Sequence, residues 1–401
     1  QLALLYKDVR YQSEIFDNNF IFWKLFGIWP GNIPTKLYRY YSFGYLFITL
    51  LLYNVLLTLN LVYTPPKIEL IIREVIFYFT EIVVSAKVLT ILLMRDKILK
   101  ALNILNTEEF KGDDEITKGI LGKSNRNYRT CYKLYSILSN VAYSSQVLVP
   151  ILLRMILRTE SEQELPICKY YFLSDEIRQS YFVYWFMYQS FGMYGHMMYN
   201  VNIDSFIAGL LLMAITEVKM LKFTLNNLKL TTMGRILPLQ TQDAVQMLKL
   251  RRYLRHYDLI LEYCDTVQEI FTVTMFVQFG VASIIICVVM CGLLLSSSTE
   301  SLVFMVMYLL VMTMQIFLPC YLGTQLTYES QDLVFAAYNS EWIPRSEPFK
   351  RSLKLFMQRA KIPFVITGLK MFPLSLFTFT SIMKTAYSFF TLINNVQVQQ
   401  H

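Results

Sequence analysis

Residues 349–399, FKRSLKLFMQRAKIPFVITGLKMFPLSLFTFTSIMKTAYSFFTLINNVQVQ, contain two helix patterns of different kinds. The first, residues 349–362, predicts an amphipathic helix, because one apolar stripe repeats at i, i+3, i+4 and i+7 among many basic residues. Pro363 ends it, since proline lacks a backbone donor and disfavours helix in the residue before it. The stripe consists of Leu353, Phe356, Met357 and Ala360.

The second pattern, residues 373–395, predicts a helix that crosses a bilayer. It has the length of about 20 residues that a membrane span needs, and Lys384 is its one charged residue. A basic surface helix therefore leads directly into a membrane helix.

The composition extends this interpretation to the whole chain. Of 401 residues, 55% are hydrophobic and 16% are charged, whereas soluble domains average about 25% charged. The sequence thus predicts an all-α polytopic membrane protein with seven transmembrane helices. The predicted spans are residues 40–62, 75–94, 134–153, 179–203, 270–295, 302–328 and 373–395.

The basic residues predict the orientation of these spans. Segments on the side of the N-terminus hold 29 lysines and arginines, and segments on the opposite side hold 6. The positive-inside rule then places the N-terminus in the cytosol and, after seven spans, the C-terminus outside. The first forty residues lack the pattern of a secretory signal peptide.

Several function classes are disfavoured. A G-protein-coupled receptor has the opposite orientation, and the chain has neither a DRY tripeptide after span three nor NPxxY in span seven. We expect no enzyme, cofactor or metal site, because HExxH, a Gly-rich phosphate loop and paired cysteine motifs are missing from the sequence. No basic arm with interleaved aromatics indicates nucleic acid binding, and no inverted repeat indicates a transporter.

The C-terminal part of the chain resembles the insect odorant receptor family. Motif, topology and length agree with that family, and at 401 residues the chain looks like an odorant-tuning subunit rather than the longer shared co-receptor. Gustatory receptors, an alternative with a similar layout, favour a TY…QF ending, and no Gln-Phe follows Tyr387. The matching residues are Ala337, Tyr338, Trp342, Met357, Arg359, Pro363, Gly368, Thr385, Tyr387, Ser388, Phe389, Thr391 and Leu392.

The resemblance implies an odorant-gated, non-selective cation channel in the plasma membrane of a sensory neuron. It implies a heterotetramer with the co-receptor, a pore lined by the seventh helices and an intersubunit anchor built from cytosolic helices. We assign residues 1–328 to spans one to six with the pocket, 329–372 to the anchor region, and 373–401 to the pore helix and tail. The stripe of four apolar residues described above is the expected intersubunit contact, with lipid as the alternative.

The ligand pocket is expected in the outer half of the bundle, where a volatile molecule arrives. Aromatic and methionine side chains supply adaptable apolar contact, and a few hydroxyls or an amide orient a polar group. The ligand is thus predicted to be small and mostly apolar. The candidate residues are Val75, Tyr78, Phe79, Tyr143, Gln146, Val147, Tyr184, Met187, Tyr188, Phe191, Met305, Tyr308 and Met312.

Other residues carry narrower predictions. Phe390, Ile393 and Asn394 are expected at the gate, because steps of i+3 and i+4 keep them on one helix face. Glu81 and Lys87 are charges within a span, so each should find a partner on another helix or lie in a water-filled cavity. His196 is expected to be a buried neutral histidine with one hydrogen bond. The aromatic residues between Phe20 and Trp29 are interpreted as anchors at the lipid headgroups.

Overall fold

The computed structural model describes residues 12–30, 35–112, 114–157, 165–229, 238–295 and 299–400. Within these ranges the chain is all-α apart from one two-residue hairpin. The helices are α1 (Asp17–Leu25), α2 (Lys36–Tyr63), α3 (Ile68–Leu93), α4 (Arg95–Leu105), α5 (Glu115–Leu157), α6 (Asp175–Ser180), α7 (Phe182–Asn226), α8 (Leu239–Leu295), α9 (Thr299–Tyr338), α10 (Glu347–Ala360) and α11 (Leu376–Gln400).

Each of the seven predicted spans overlaps one of the long helices, α2, α3, α5, α7, α8, α9 and α11. Span 179–203 begins in α6, and span 373–395 begins three residues before α11. By length and composition, five helices of the described part could cross a membrane, namely α2, α3, α7, α8 and α9. Span 270–295 forms the C-terminal part of α8, a single helix of 57 residues. At about 1.5 Å per residue this helix is far longer than a bilayer core of about 30 Å.

α7 is the central helix of the bundle. It packs against α5, α8 and α9, and most of its side chains between Gly195 and Leu221 are buried. An apolar helical segment that is covered on all sides belongs in a core. Around it, the bundle has two ends. Residues 165–173 fold over one, which we call the lid end. The C-terminal parts of α7 and α9, the N-terminal part of α8, and α10 extend from the other, which we call the extension end.

The aromatic cluster before α2 is packed into the core. Trp23 is 1% exposed and Trp29 6% exposed. The rings of Phe20 and Trp23 meet Phe206 of α7, at centroid distances of 6.0 and 4.8 Å. The prediction that these aromatics anchor at lipid headgroups is therefore wrong for Trp23 and Trp29, because the Trp23 ring packs against α7 and the Trp29 ring packs on Phe20 and Trp23.

A short hairpin, β1 (Thr367–Gly368) and β2 (Phe372–Pro373), connects α10 to α11. The amide of Gln268 on α8 holds it in place, donating to Thr367 O and accepting from Thr367 N, both at 2.6 Å. Gly323 of α9 lets the chain before α11 pass closely, since a Cβ there would collide with the Leu374 carbonyl. The hairpin was not foreseen from the sequence.

Candidate ligand-binding site

A cavity of about 90 Å³ lies between α3, α5, α7 and α9, toward the lid end. Its walls are mainly aromatic and methionine side chains, with polar groups at a few points. Methionine side chains can adjust to shapes larger than the empty space. The lining residues are Phe77, Thr80, Glu81, Tyr135, Ser139, Ala142, Tyr143, Met193, His196, Met197, Asn200, Phe304, Tyr308, Val311, Met312 and Gln315.

One wall of the cavity carries a hydroxyl pair. The hydroxyls of Thr80 and Tyr308 are hydrogen-bonded to each other, and Thr80 Oγ1 also donates to Ile76 O at 2.8 Å. The Tyr308 ring packs on Phe304 at a centroid distance of 5.5 Å. This wall therefore offers an aromatic face next to one polar atom.

A second polar point is His196, which is 2% exposed. Its Nε2 lies 2.6 Å from the backbone oxygen of Thr49 and must donate there, since a carbonyl oxygen can only accept. Its Nδ1 contacts the carboxylate of Glu81. The prediction of a partner for Glu81 on another helix is confirmed, and His196 has this contact besides the single hydrogen bond expected.

A polar cluster forms the floor of the cavity, on the side of the extension end. Lys87 is completely buried and pairs with Asp204 at 2.6 Å. Lys87 Nζ donates to Asn200 Oδ1 at 2.9 Å, and Asp204 accepts from Gln315 Nε2 at 2.7 Å and Tyr135 OH at 3.1 Å. A buried ion pair is tolerated only when its charges are matched and hydrogen-bonded in this way. The prediction for Lys87 is confirmed. We call these five residues the polar floor.

Residues 165–173 cover the lid end of the bundle, and we call them the lid. Arg73 donates to the carbonyl oxygens of Leu165 and Ile167, both at 3.1 Å. Gln189 accepts from Ile167 N at 3.0 Å and donates to Cys168 O at 2.9 Å. Cys168 is fully buried, and burial raises the pKa of its thiol, so the thiol stays protonated. The lid is thus tied to α3 and α7 by side chains that bind its backbone.

The arrangement is a cavity between long helices of a mainly apolar bundle. A model of the family described as 7tm odorant receptor matches residues 67–387. The chain belongs to the odorant receptor family. Members of that family are receptor and channel proteins, not enzymes.

Individual relatives agree with this assignment. Odorant receptor 46a, isoform B, of Drosophila melanogaster is 24% identical over 394 residues, which is 94% of this chain and 96% of the relative. Odorant receptor 22b of the same insect is 26% identical over 190 residues, 47% of this chain and 46% of the relative. The similarity to individual odorant receptors is consistent with a tuning subunit.

A solved structure shares the fold. The olfactory receptor OR5 from Machilis hrabei, in complex with eugenol, superposes with a TM-score of 0.79 at 17% identity, over 96% of this chain and 98% of that one. The fold of this odorant receptor is therefore that of a known insect olfactory receptor.

Three of the sequence-predicted pocket residues line the cavity: Tyr143, Tyr308 and Met312. Gln146 donates to Pro166 O of the lid at 2.5 Å, and Val147 is buried without lining the cavity. Met305 is partly buried beside Gly292.

The remaining candidates lie outside the cavity, because they are on faces of α3 and α7 that point away from it. On α7, Tyr184, Met187 and Phe191 are 71%, 64% and 57% exposed. Tyr188 instead donates its hydroxyl to Ile48 O at 2.9 Å. The lining residues of α7, such as Met193 and Met197, are two residues out of phase with the predicted set. The difference corresponds to about 200° around the helix.

The same offset occurs on α3. Val75, Tyr78 and Phe79 were predicted, and Phe77, Thr80 and Glu81 line the cavity. The sequence signal that could have located the helix faces lining this cavity was the pair of buried polar residues, Glu81 and His196. A titratable group within a span has to face the interior of the bundle.

The predicted anchor stripe on α10 is buried within its own chain. Leu353, Phe356 and Ala360 are 0%, 4% and 2% exposed, and Met357 is partly buried. The Phe356 ring meets Tyr257 of α8 at a centroid distance of 5.0 Å. The stripe therefore cannot be the intersubunit contact as predicted, because α8 and α9 already cover it.

Of the predicted gate residues, Phe390 is half-buried and stacks on Tyr387 at a centroid distance of 6.3 Å. The side chains of Ile393 and Asn394 lie outside the described part of the structure.

Proposed function

We propose that this chain is an odorant-tuning subunit that binds a small, mostly apolar volatile ligand in the cavity beneath the lid. The observation that carries the proposal is the cavity itself, in which aromatic and methionine side chains surround a hydroxyl pair and the contact between Glu81 and His196. Such a surface suits a molecule that is largely hydrocarbon with one polar group. Eugenol, in complex with the Machilis hrabei receptor, belongs to this chemical class.

The proposed topology places the lid outside the cell and the extension end in the cytosol. Seven spans with the N-terminus inside follow from the excess of lysine and arginine on one side. A volatile ligand then arrives at the end of the bundle that contains the cavity. We assign the receptor to the plasma membrane of a sensory neuron as a multi-pass protein.

The proposed response is a cation current through a pore formed with neighbouring subunits. α11 packs on α8 and α9 on one side only. Large apolar residues remain exposed along it, with Tyr387 60%, Phe389 52% and Leu392 59% exposed. These side chains would meet lipid or other subunits. We place Phe390, Ile393 and Asn394 on the lumen of a tetramer with the co-receptor, where an apolar ring can gate by dewetting.

The test of this function is an electrical recording. Cells that produce this chain alone, the co-receptor alone, or both are exposed to a panel of small esters, alcohols and phenols. We expect odorant-evoked current only when both chains are present, and we expect it to persist in excised patches without GTP. Current that disappears there and returns with GTP would contradict the channel function.

The pore is tested by cysteine substitution along residues 387–395 in the assembled channel. We expect block by a charged thiol reagent at 390, 393 and 394, which share a helix face. Absence of block at every position, or block at Lys384→Cys in its place, would remove α11 of this chain from the pore lining.

A further inference from the structure

A second cavity lies between α5, α7, α8 and α9, on the far side of the polar floor from the first. Its volume is about 110 Å³. Tyr135 and Gln315 line both cavities, so they form the partition between them. The remaining wall is mostly apolar, including Leu138, Ile207 and Met275. We call it the inner cavity.

The polar feature of the inner cavity originates from Pro319 in the middle of α9. Proline has no backbone N–H, so it leaves the carbonyl oxygen four residues earlier without its helical partner. That oxygen belongs to Gln315, and Gln278 Nε2 of α8 donates to it at 3.2 Å. A carbonyl oxygen needs a donor, which fixes the orientation of the Gln278 amide: its nitrogen faces α9.

In this orientation the oxygen of the same amide, Gln278 Oε1, points away from the Gln315 carbonyl oxygen and needs a donor of its own. Gln278 is 2% exposed and lines the inner cavity. In the described part of the chain, Gln278 Oε1 has no hydrogen-bond partner. A buried acceptor without a donor is unfavourable, and native proteins satisfy nearly all such groups. A second acceptor on the same wall, the carboxylate of Asp204, already receives hydrogen bonds from Tyr135 and Gln315.

The inner cavity opens sideways, between α5 and α9. At its mouth Leu134 is 63% exposed and Met314 44% exposed. Both residues lie on predicted membrane spans, so these apolar side chains would face the bilayer. A molecule dissolved in the lipid could enter there without crossing the lid or the polar floor.

We propose that the inner cavity is a second binding site, which takes a small apolar alcohol or phenol from the bilayer. Its hydrocarbon part lies against Leu138, Ile207 and Met275, and its hydroxyl donates to Gln278 Oε1. A plain hydrocarbon could fill the same space but would leave that oxygen unpaired. The site is therefore selective for a hydrogen-bond donor. Its occupant also contacts the polar floor from the side opposite the first cavity, which we call the outer cavity.

The test uses the full-length receptor in membranes of cells that produce it together with the co-receptor. The probe is octanol with a photoreactive diazirine at the far end of its chain, and the matched control is octane with the same diazirine. We expect the alcohol probe to label peptides covering residues 131–138 or 314–319, in competition with unlabelled octanol. The alkane probe should label them about fivefold less, the difference that one hydrogen bond makes.

Two variants make the result specific. Gln278→Met removes the acceptor, so labelling by the alcohol should fall about fivefold to the level of the alkane. Leu138→Trp fills the cavity and should abolish labelling by both probes. This variant tests the site independently if Gln278→Met fails to reach the membrane. Tyr143→Ala, in the outer cavity, should leave this labelling unchanged.

Two outcomes would overturn the proposal. Equal labelling by alcohol and alkane, unaffected by either variant, would mean that the probe samples only the lipid surface of α5 and α9. Labelling confined to residues 77–81 or 193–197 would mean that the alcohol occupies only the outer cavity and that water alone serves Gln278.

Discussion

The lid end and the extension end of this bundle differ in where most of their ion pairs lie. In the part of the bundle that holds the first cavity, the pairs lie inside: Lys87 with Asp204, and Glu81 with His196. At the extension end, most pairs lie on the surface, as with Lys100 and Glu262, which are 54% and 48% exposed, although the contact of Glu217 with His256 at 2.9 Å is buried. Much of the interior there is apolar, around residues such as Leu353.

The difference separates ligand binding from assembly. Toward the lid end, the buried polar groups line a cavity that a ligand can fill. The apolar core around Leu353 is close-packed and therefore stiff. We infer that the lid end determines which molecule binds, and that the extension end holds the helices in a fixed arrangement for contact with other subunits. Substitutions that exchange the two kinds of environment test this division.

The largest effect is expected at the buried ion pair. Lys87→Met leaves the Asp204 carboxylate buried without its counter-charge, which costs about 3–5 kcal/mol of folding free energy. We expect the variant to be almost absent from the cell surface. The double variant Lys87→Met/Asp204→Leu should recover much of that loss, because no unpaired charge remains.

The matched control for this pair is Lys100→Met, which breaks the exposed pair with Glu262 at 2.8 Å. Exposed pairs contribute about 0–1 kcal/mol, so its surface level and thermal stability in detergent should stay near those of the unmodified chain. A loss as large as that of Lys87→Met would contradict the contrast between the two ends.

The next effect is expected on α10, where two leucines two residues apart face opposite ways. Leu353 is fully buried and Leu355 is 67% exposed. Leu353→Ala leaves a cavity in the core and should cost about 2–4 kcal/mol, measured as a lower melting temperature of the solubilised receptor.

Leu355→Ala should change the free energy of unfolding by no more than about 0.5 kcal/mol, so the melting temperature should stay near that of the unmodified chain. If α10 contacts the co-receptor with its outward face, Leu355→Ala should reduce the amount of co-receptor that co-purifies with the chain. Co-purification that is unaffected by Leu355→Ala but reduced by a stable Leu353→Ala variant would return the contact to the buried stripe.

A smaller effect is expected for ligand recognition. Tyr143→Ala removes an aromatic side chain from the outer cavity, and Tyr184→Ala removes one that is 71% exposed on α7. Loss of a buried aromatic contact costs about 1–3 kcal/mol, so Tyr143→Ala should raise the half-maximal odorant concentration by about fivefold or more. Tyr184→Ala should leave it unchanged. The opposite result would favour the helix face that the sequence predicted.

Much of the fold could be predicted from the sequence, because long apolar runs predict membrane helices. Each predicted span overlaps a long helix, and the amphipathic pattern of α10 is found at Glu347–Ala360. Span five was predicted to begin at residue 270, where the composition changes from charged to apolar, whereas α8 continues through that position from Leu239. In a helix that continues beyond the apolar layer, the composition changes while the backbone hydrogen bonds continue.

The candidate site was less predictable, and the reason is specific to membrane proteins. In water an exposed face is polar, but α7 exposes Tyr184 and Phe191 on one side and places Met193 and Met197 in the cavity on the other. Both faces are apolar, so residue type does not distinguish them. The polar residues Glu81, Lys87 and Asp204 do, because each must face a partner. The lid was also missed, since side chains distant in sequence, such as Arg73 and Gln189, hold its backbone.

The smallest predicted effect concerns a single hydroxyl. Tyr308→Phe keeps the ring against Phe304 and removes only the oxygen bonded to Thr80. Thr80 retains its hydrogen bond to Ile76 O, so no buried donor is left without an acceptor and surface expression should be normal.

If Tyr308 orients the polar group of an odorant, the variant should be about fivefold less sensitive to an alcohol or phenol, the effect of one hydrogen bond of about 1 kcal/mol. A hydrocarbon of the same size, which never used the hydroxyl, should act at the same concentration on both receptors. The decisive measurement is the ratio of half-maximal concentrations for the alcohol and the hydrocarbon. An unchanged ratio would show that the ligand's polar group lies elsewhere in the cavity, and the Glu81–His196 couple would then be its remaining partner on the α3–α7 wall.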